Sequence, residues 1–154
     1  AFTIACNDFL IHNEYQEIAV MVDNSHRQDI APLSGDFTRY GGIYRDVFLI
    51  WTPKVHFELN TLGGIGIQTR TPQVQGEKSK INVSYVIENE TQLDKKLYLK
   101  VQVMDSAGKS IVSKTLPIEA KASKKTSKVL EIELKNPRLW SPDSPYLYTI
   151  LHEI

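Results

Sequence analysis

The chain has 154 residues, enough for one ordinary domain or two small ones. Its hydrophobic fraction of 42% can build a core, and 18 Lys plus Arg against 18 Asp plus Glu leave a formal net charge of zero. That balance excludes a global electrostatic pull toward nucleic acid or anionic membrane, and no apolar run approaches the roughly 18 residues a spanning helix needs.

Cys6 is the only cysteine, so an internal disulfide is excluded. Ala1 opens no targeting signal, and the sequence reads as strand from Ala1-Phe2-Thr3-Ile4-Ala5 onward. A chain that begins and ends in strand-like sequence is expected to be a piece of something longer. Periplasmic, secreted and cytoplasmic locations all stay open.

Helical periodicity is almost absent. Residues 7–15 could hold a turn or short helix with Asn7 or Asp8 as its N-cap. Residues 17–23 then read as a strand, Ile18, Val20 and Val22 on one face and Ala19 and Met21 on the other, ended by the turn residues Asp23-Asn24-Ser25. Residues 26–42 form a long connection with Pro32, Gly35 and Gly41-Gly42, and connections of that length are usually functional. Residues 43–51 read as an apolar strand broken by Pro53, and Val55, Phe57 and Leu59 resume the alternation. The glycine-rich stretch 61–66 resembles a domain boundary.

Beyond it, Ile81, Val83, Tyr85 and Ile87 alternate with polar neighbours, as do Leu97, Leu99, Val101 and Val103. Asp105-Ser106-Ala107-Gly108 predicts a hairpin loop leading into residues 109–116. Residues 129–134, with Leu130, Ile132 and Leu134 inward, and residues 146–154 complete the pattern. Short strands with regular turns predict an all-β chain whose second part is an immunoglobulin-like sandwich, without the Cys…Trp…Cys of antibody domains.

No catalytic constellation is complete: there is no nucleophile elbow, no phosphate-binding glycine loop and no CxxC or HExxH spacing. His12, His26, His56 and His152 are scattered and read as surface or packing residues. The lysine-rich stretch 121–128 has no aromatic residue and no arginine, and reads as a solvated loop between strands. Asn82-Val83-Ser84 and Asn89-Glu90-Thr91 match the glycosylation pattern, as short motifs do by chance. The stretch 29–46 differs. It gathers Asp29, Asp36 and Asp46, Arg39 and Arg45, and Phe37, Tyr40 and Tyr44 among turn residues, a mixture suited to sugar hydroxyls and pyranose faces. The plainer alternative is a polar loop capping the end of a sandwich.

The segments Glu17-Ile18-Ala19-Val20-Met21-Val22-Asp23-Asn24-Ser25, Gly35-Asp36-Phe37 and Tyr40-Gly41-Gly42-Ile43-Tyr44-Arg45-Asp46-Val47 resemble the end of the sugar-binding jelly-roll domain of glycoside hydrolase family 2, the β-galactosidase and β-glucuronidase group. Asn136-Pro137-Arg138-Leu139-Trp140-Ser141-Pro142 and Pro145-Tyr146-Leu147-Tyr148 resemble the late part of that family's immunoglobulin-like domain.

The resemblance implies residues 1–60 as the C-terminal part of a galactose-binding-like jelly-roll, and 61–154 as the sandwich, stopping before its final strand. It implies a non-catalytic region of a retaining β-glycosidase, of β-galactosidase type, whose (β/α)8 barrel lies elsewhere in the polypeptide and holds both catalytic carboxyl groups. Asp36 resembles the residue that reaches into the barrel pocket and holds the terminal sugar's hydroxyls. No cofactor is implied for this chain, whereas the parent enzyme can hold sodium or magnesium. Arg45 and Asp46 are expected to be structural, and Trp140 a packing anchor. The implied partners are a terminal β-glycoside and the barrel in cis, with homo-oligomerisation left open. A carbohydrate-binding module and a structural spacer without hydrolase activity remain the alternatives.

Overall fold

The computed structural model describes residues 3–11, 13–30 and 41–154. Among these the only helical element is a 3-10 turn at Asn7–Phe9; the strands are β1 Val55–Phe57, β2 Ile67–Gln73, β3 Lys78–Asn89, β4 Lys95–Met104, β5 Ser110–Ala120, β6 Lys124–Lys135 and β7 Thr149–Glu153. The chain divides into two units, one of Ala1–Ile4 with Thr52–Ile154 and the other Ala5–Trp51, and every strand among the described residues lies in Thr52–Ile154.

The alternation of β3 sets the sandwich. Its odd-numbered residues Ile81, Val83, Tyr85 and Ile87 are buried, and so are Leu130, Ile132 and Leu134 of β6. The antiparallel register places Ile81 beside Ile132 and Val83 beside Leu130. The second sheet, in the order β5-β4-β7, presents Leu99, Val101, Val103 and Ile118 to the same core. Removing each such side chain from water stabilises the fold by about 1.5–3 kcal/mol. The expected inward faces of β3, β4 and β6 are therefore observed, as is the hairpin at Asp105. There Asp105 Oδ1 accepts the N–H groups of Ala107 and Lys109, both at 2.9 Å, and Gly108 takes the positive φ of +79° that the turn requires.

β3 has β6 along its whole length on one side, and β1 and β2 end to end on the other. The two short strands meet at Val86: Glu58 N–H donates to its carbonyl at 2.9 Å, and its own N–H donates to the carbonyl of Gly66 at 2.7 Å. Gly66 must be a glycine, because a Cβ there would overlap the Val86 carbonyl oxygen and stand 3.0 Å from Glu58 N. β2 is absent from the sequence expectations. Its residues Ile67-Gln68-Thr69-Arg70-Thr71-Pro72-Gln73 lack a clean alternation, and Pro72 sits on an edge strand where the register slips between Arg70 and Gln73.

Three expectations fail. Residues 17–23 and 43–51 are not strands: they are irregular and exposed, with Val47 and Phe48 each 75% accessible. Their alternation names a face to bury, but a strand also needs a ladder for its N–H and C=O groups, and no strand pairing among the described residues falls in Ala5–Trp51. The 3-10 turn is capped by Cys6 without a side-chain hydrogen bond, not by Asn7 or Asp8. The lysine-rich stretch is mostly strand, since β6 starts at Lys124 and only residues 121–123 turn.

One polar pair crosses the core. Tyr85 of β3 is 1% accessible, and its hydroxyl lies 2.9 Å from Nδ1 of His152 on β7, with the rings edge to face at 5.5 Å. Burial pushes the Tyr85 hydroxyl up to about 12, so it stays a donor, and burial holds the His152 imidazole below its ordinary value. A histidine held neutral by folding contributes stability above its unfolded value of about 6.5, where neither state is charged. That stability is lost as the pH falls through the lower folded value, because the unfolded chain binds the proton first. Urea midpoints are expected to fall between pH 7 and 5 in the wild type, and to fall less steeply in His152→Gln. Gly66→Ala is expected to destabilise by about 1–3 kcal/mol through overpacking at the β1–β2 corner, read as a lower urea midpoint with unchanged slope.

Candidate functional site

Asp36 lies outside the described residues, as does the whole stretch 31–40. The flanks of that stretch are described and lie together. Asp23 Oδ1 accepts the Ser25 N–H at 2.9 Å, and hydrogen bonds from the Ser25 backbone and hydroxyl hold the Asp23 carboxyl below its usual value. Arg27 pairs with Asp29 at 3.3 Å. Gly41 packs directly on Asn24, since a Cβ there would stand 3.0 Å from Asn24 Cγ. The described residues on either side of that stretch are therefore in contact, Asn24 before it and Gly41 after it. Arg45 lies over the Tyr44 ring, 5.5 Å from its centroid, and Arg45 and Asp46 are both exposed. With no strand at 43–51, the period-two alternation that would set Arg45 and Asp46 on opposite faces does not apply to them.

Several polar groups of the sandwich are committed to structure. Glu58, which no sequence signal singles out, is buried at the β1–β2 corner; its carboxylate accepts from Thr61 Oγ1 and from Lys125 Nζ at 3.1 Å. Burial raises its pKa, but hydrogen bonds from Thr61, Lys125 and the Asn60 backbone outweigh that and hold the carboxyl below its usual value. Lys125 also reaches Glu88 at 3.8 Å. Two carboxylates sharing a cation resemble an acid/base pair in outline only. A general acid needs a raised pKa, and Glu58 has a lowered one.

Asn89 is completely buried, so the second glycosylation match is not an accessible acceptor. Its Nδ2 donates to the carbonyls of Leu93 and Ala120, both at 2.9 Å, and its Oδ1 accepts from Thr91 N–H and Oγ1 at 3.0 and 2.7 Å. The amide ties the β3–β4 loop to the end of β5. Asn82 is half-buried on β3, and its Oδ1 is buried without a partner. His56 is buried, its Nδ1 2.9 Å from the Pro53 carbonyl, and His26 is exposed; His12 lies outside the described residues. Among the described residues no group of three or more His, Cys, Asp or Glu is placed to hold a metal.

Between β6 and the loop 136–148 runs an open groove of about 480 Å3, lined in part by Tyr146, Tyr148, Asp105 and Glu133. Its carboxylates are already engaged: Glu133 pairs with Lys78 at 2.6 Å, and Asp105 closes its turn. The loop itself is tightly tied. Arg138 stacks on Tyr146 at 4.6 Å, its Nη2 donates to Ser144 Oγ at 2.9 Å, and its N–H donates to Tyr148 Oη at 2.8 Å. Ser141 and Ser144 exchange backbone hydrogen bonds at 3.1 and 3.0 Å. Trp140, expected as a packing anchor, is 59% accessible. The loop's bonds fix its backbone and leave the indole outside the sandwich core.

A sequence profile described as "Glycosyl hydrolases family 2" matches residues 65–154. Along its full length the chain is 27% identical to the β-galactosidase BoGH2A of Bacteroides ovatus, covering 17% of that protein. It is 28% identical to a β-glucuronidase of Bacteroides fragilis, with 97% of this chain and 21% of the relative aligned. The crystal structure of a Bacteroides uniformis β-glucuronidase superposes with a TM-score of 0.78 at 37% identity, covering 84% of this chain and 15% of that one. The chain therefore spans about a fifth or less of the length of these proteins.

Asn89→Ala is expected to lower stability by about 2–4 kcal/mol, because it leaves the Thr91 N–H without its acceptor and takes a buried donor from the carbonyls of Leu93 and Ala120. Chemical denaturation of the variant beside the wild type measures it.

Proposed function

Because this chain belongs to family 2 of the glycosyl hydrolases, we propose that it is a non-catalytic region of a retaining β-glycosidase, acting on terminal β-galactosides. The profile match over residues 65–154 carries this reading, and the β-galactosidases and β-glucuronidases among the relatives support it. The chain supplies support for a catalytic barrel in the same polypeptide and one edge of its sugar pocket. The jelly-roll end expected over residues 1–60 is then confined to residues before Thr52, because β1 at Val55–Phe57 pairs with β3, and the immunoglobulin-like domain expected over 61–154 takes in that strand and is completed by a further strand outside this chain. The reaction proceeds with retention, on two carboxyl groups that belong to the barrel. Sodium or magnesium, where the parent enzyme holds it, binds outside the groups described above.

Within this reading Asp36 holds hydroxyls of the terminal sugar. The contact between Asn24 and Gly41 supports that role, since it brings together the described residues on either side of Asp36. A carboxylate that tightens on a sugar hydroxyl in the transition state raises the rate, whereas uniform binding only lowers KM. A second substrate reading is favoured by the 37% identity to a β-glucuronidase structure. A glucuronide carries a carboxylate that needs a cationic partner, whereas a galactoside carries a neutral hydroxyl there. Parallel rates on aryl β-galactoside and aryl β-glucuronide decide between them.

In the full-length parent, Asp36→Ala is expected to lower kcat/KM by about ten- to a thousand-fold, the loss of one or two charge-assisted hydrogen bonds. The melting temperature is expected to stay near wild type. A variant that loses stability and keeps its kinetics would instead assign Asp36 to capping a turn.

A further inference from the structure

β5 and β6 each end a sheet, since among the described residues β5 pairs only with β4 and β6 only with β3. An unpaired edge is a template for a strand from another molecule. Here the two edges lie on one side of the sandwich and are tied together by side chains. Lys114 Nζ of β5 donates to the Glu131 carbonyl of β6 at 2.8 Å, and Thr126 Oγ1 of β6 donates to the Glu119 carbonyl of β5 at 3.5 Å. The ladder fixes which backbone groups face this opening. Val86 turns its N–H and C=O toward Gly66 and Glu58, so its partner on β6, Ser127, turns its own away from β3, and Val129 and Glu131 follow at every second position. The carbonyl that Lys114 covers is therefore one that an added strand would use. On β5 the Glu119 carbonyl faces the same opening, and two positions before it stands Pro117, which has no N–H to offer there.

Two lysines stand where the strand pattern calls for apolar residues. Lys114 lies opposite Val101 on the inward face of β5, half-buried between Val112 and Leu116, which both pack on the core. Lys128 lies opposite Tyr85, in the inward alternation of Leu130 and Ile132, and is exposed. A valine at either position would carry the apolar stripe out to the rim without disturbing the ladder.

We propose that Lys114 and Lys128, with Pro117, guard this side of the sandwich against β-strand addition by a second copy of the chain. Lys114 occupies an edge carbonyl, and a strand that displaced it would bury an ammonium against the inner face. Lys128 sets a second charge in the path of the incoming side chains, and burying an unpaired charge is costly. Pro117 withholds a donor from the β5 edge. A second copy is the relevant partner because it brings an identical β6, and two such edges can pair antiparallel about a two-fold axis. β2, the outer strand beside β3 on the opposite rim, is blunted by related means, Pro72 and the register slip between Arg70 and Gln73. The guard requires only the sandwich and stands apart from the glycosidase reading.

Sedimentation equilibrium and residue-resolved amide hydrogen exchange on the 154-residue chain test this. In the wild type, exchange of the Ser127, Val129 and Glu131 amides is expected to be independent of protein concentration. Lys114→Val and Lys128→Val are each expected to tighten self-association about ten-fold or more, with those three amides gaining protection as concentration rises. Lys114→Arg, which keeps a charge and a donor, is expected to behave as the wild type. A cooperative urea transition identifies the folded variants; Lys128 is exposed, so its variant keeps the test decisive whatever Lys114→Val does to folding. A folded Lys128→Val that associates no more than the wild type overturns the proposal. So does concentration-dependent protection of the β6 amides in the wild type, or association of the variants that leaves those amides unprotected, which marks another surface.

Discussion

The sandwich depends on β3 having a ladder on both sides. β6 satisfies one edge from Lys78 to Asn89, and β1 and β2 share the other, meeting where the Val86 N–H and carbonyl bond to Gly66 and Glu58. Paired along its length with β6 and over most of it with β2 and β1, β3 can commit one face to the core, and that face carries Tyr85, whose hydroxyl reaches His152 on the opposite sheet. The β1–β2 corner and the sheet-to-sheet polar contact thus occupy adjacent residues of one strand. The buried Tyr85 hydroxyl and the Val86 backbone groups are tolerated there because each has its partner.

The same alternation has two outcomes in this chain. In β3, β4 and β6 it coincides with neighbouring strands, and the apolar face is buried. In residues 17–23 and 43–51 it meets no ladder among the described residues, and Ile18, Val20, Phe48 and Leu49 stay exposed. A strand is a property of a pair, and patterning supplies only half of it.

The sandwich spends its ionisable groups on holding itself together. Glu58 joins β1 to β6 through Lys125, and Asp94 joins the β3–β4 loop to the β5–β6 turn through Lys121 at 2.9 Å and the Ala122 N–H at 2.9 Å. Hydrogen bonds from Ala122 and Lys121 hold the Asp94 carboxyl below its usual value. Carboxylates so engaged are poor proton donors, which fits a supporting role beside chemistry performed elsewhere. Among the described residues, the tied loop 136–148 leaves Leu139, Trp140 and Leu147 exposed.

Sequence alone determined the strand content of residues 81–134, the inward faces of Tyr85, Leu99, Val101 and Ile132, the Asp105 hairpin and the family, because period-two patterning and short motifs are local. It did not reveal β2, whose pairing with β3 is long-range and whose Pro72 hides the pattern. Nor did it find Glu58, whose partner Lys125 is 67 positions away, or the role of Asn89, which is set by a carbonyl at Ala120. The tertiary structure decided these, because burial and partner choice depend on which distant segments the fold brings into register. It also decided that Trp140 faces out of the sandwich: the motif names an aromatic anchor, and only the packed loop shows on which side it is left.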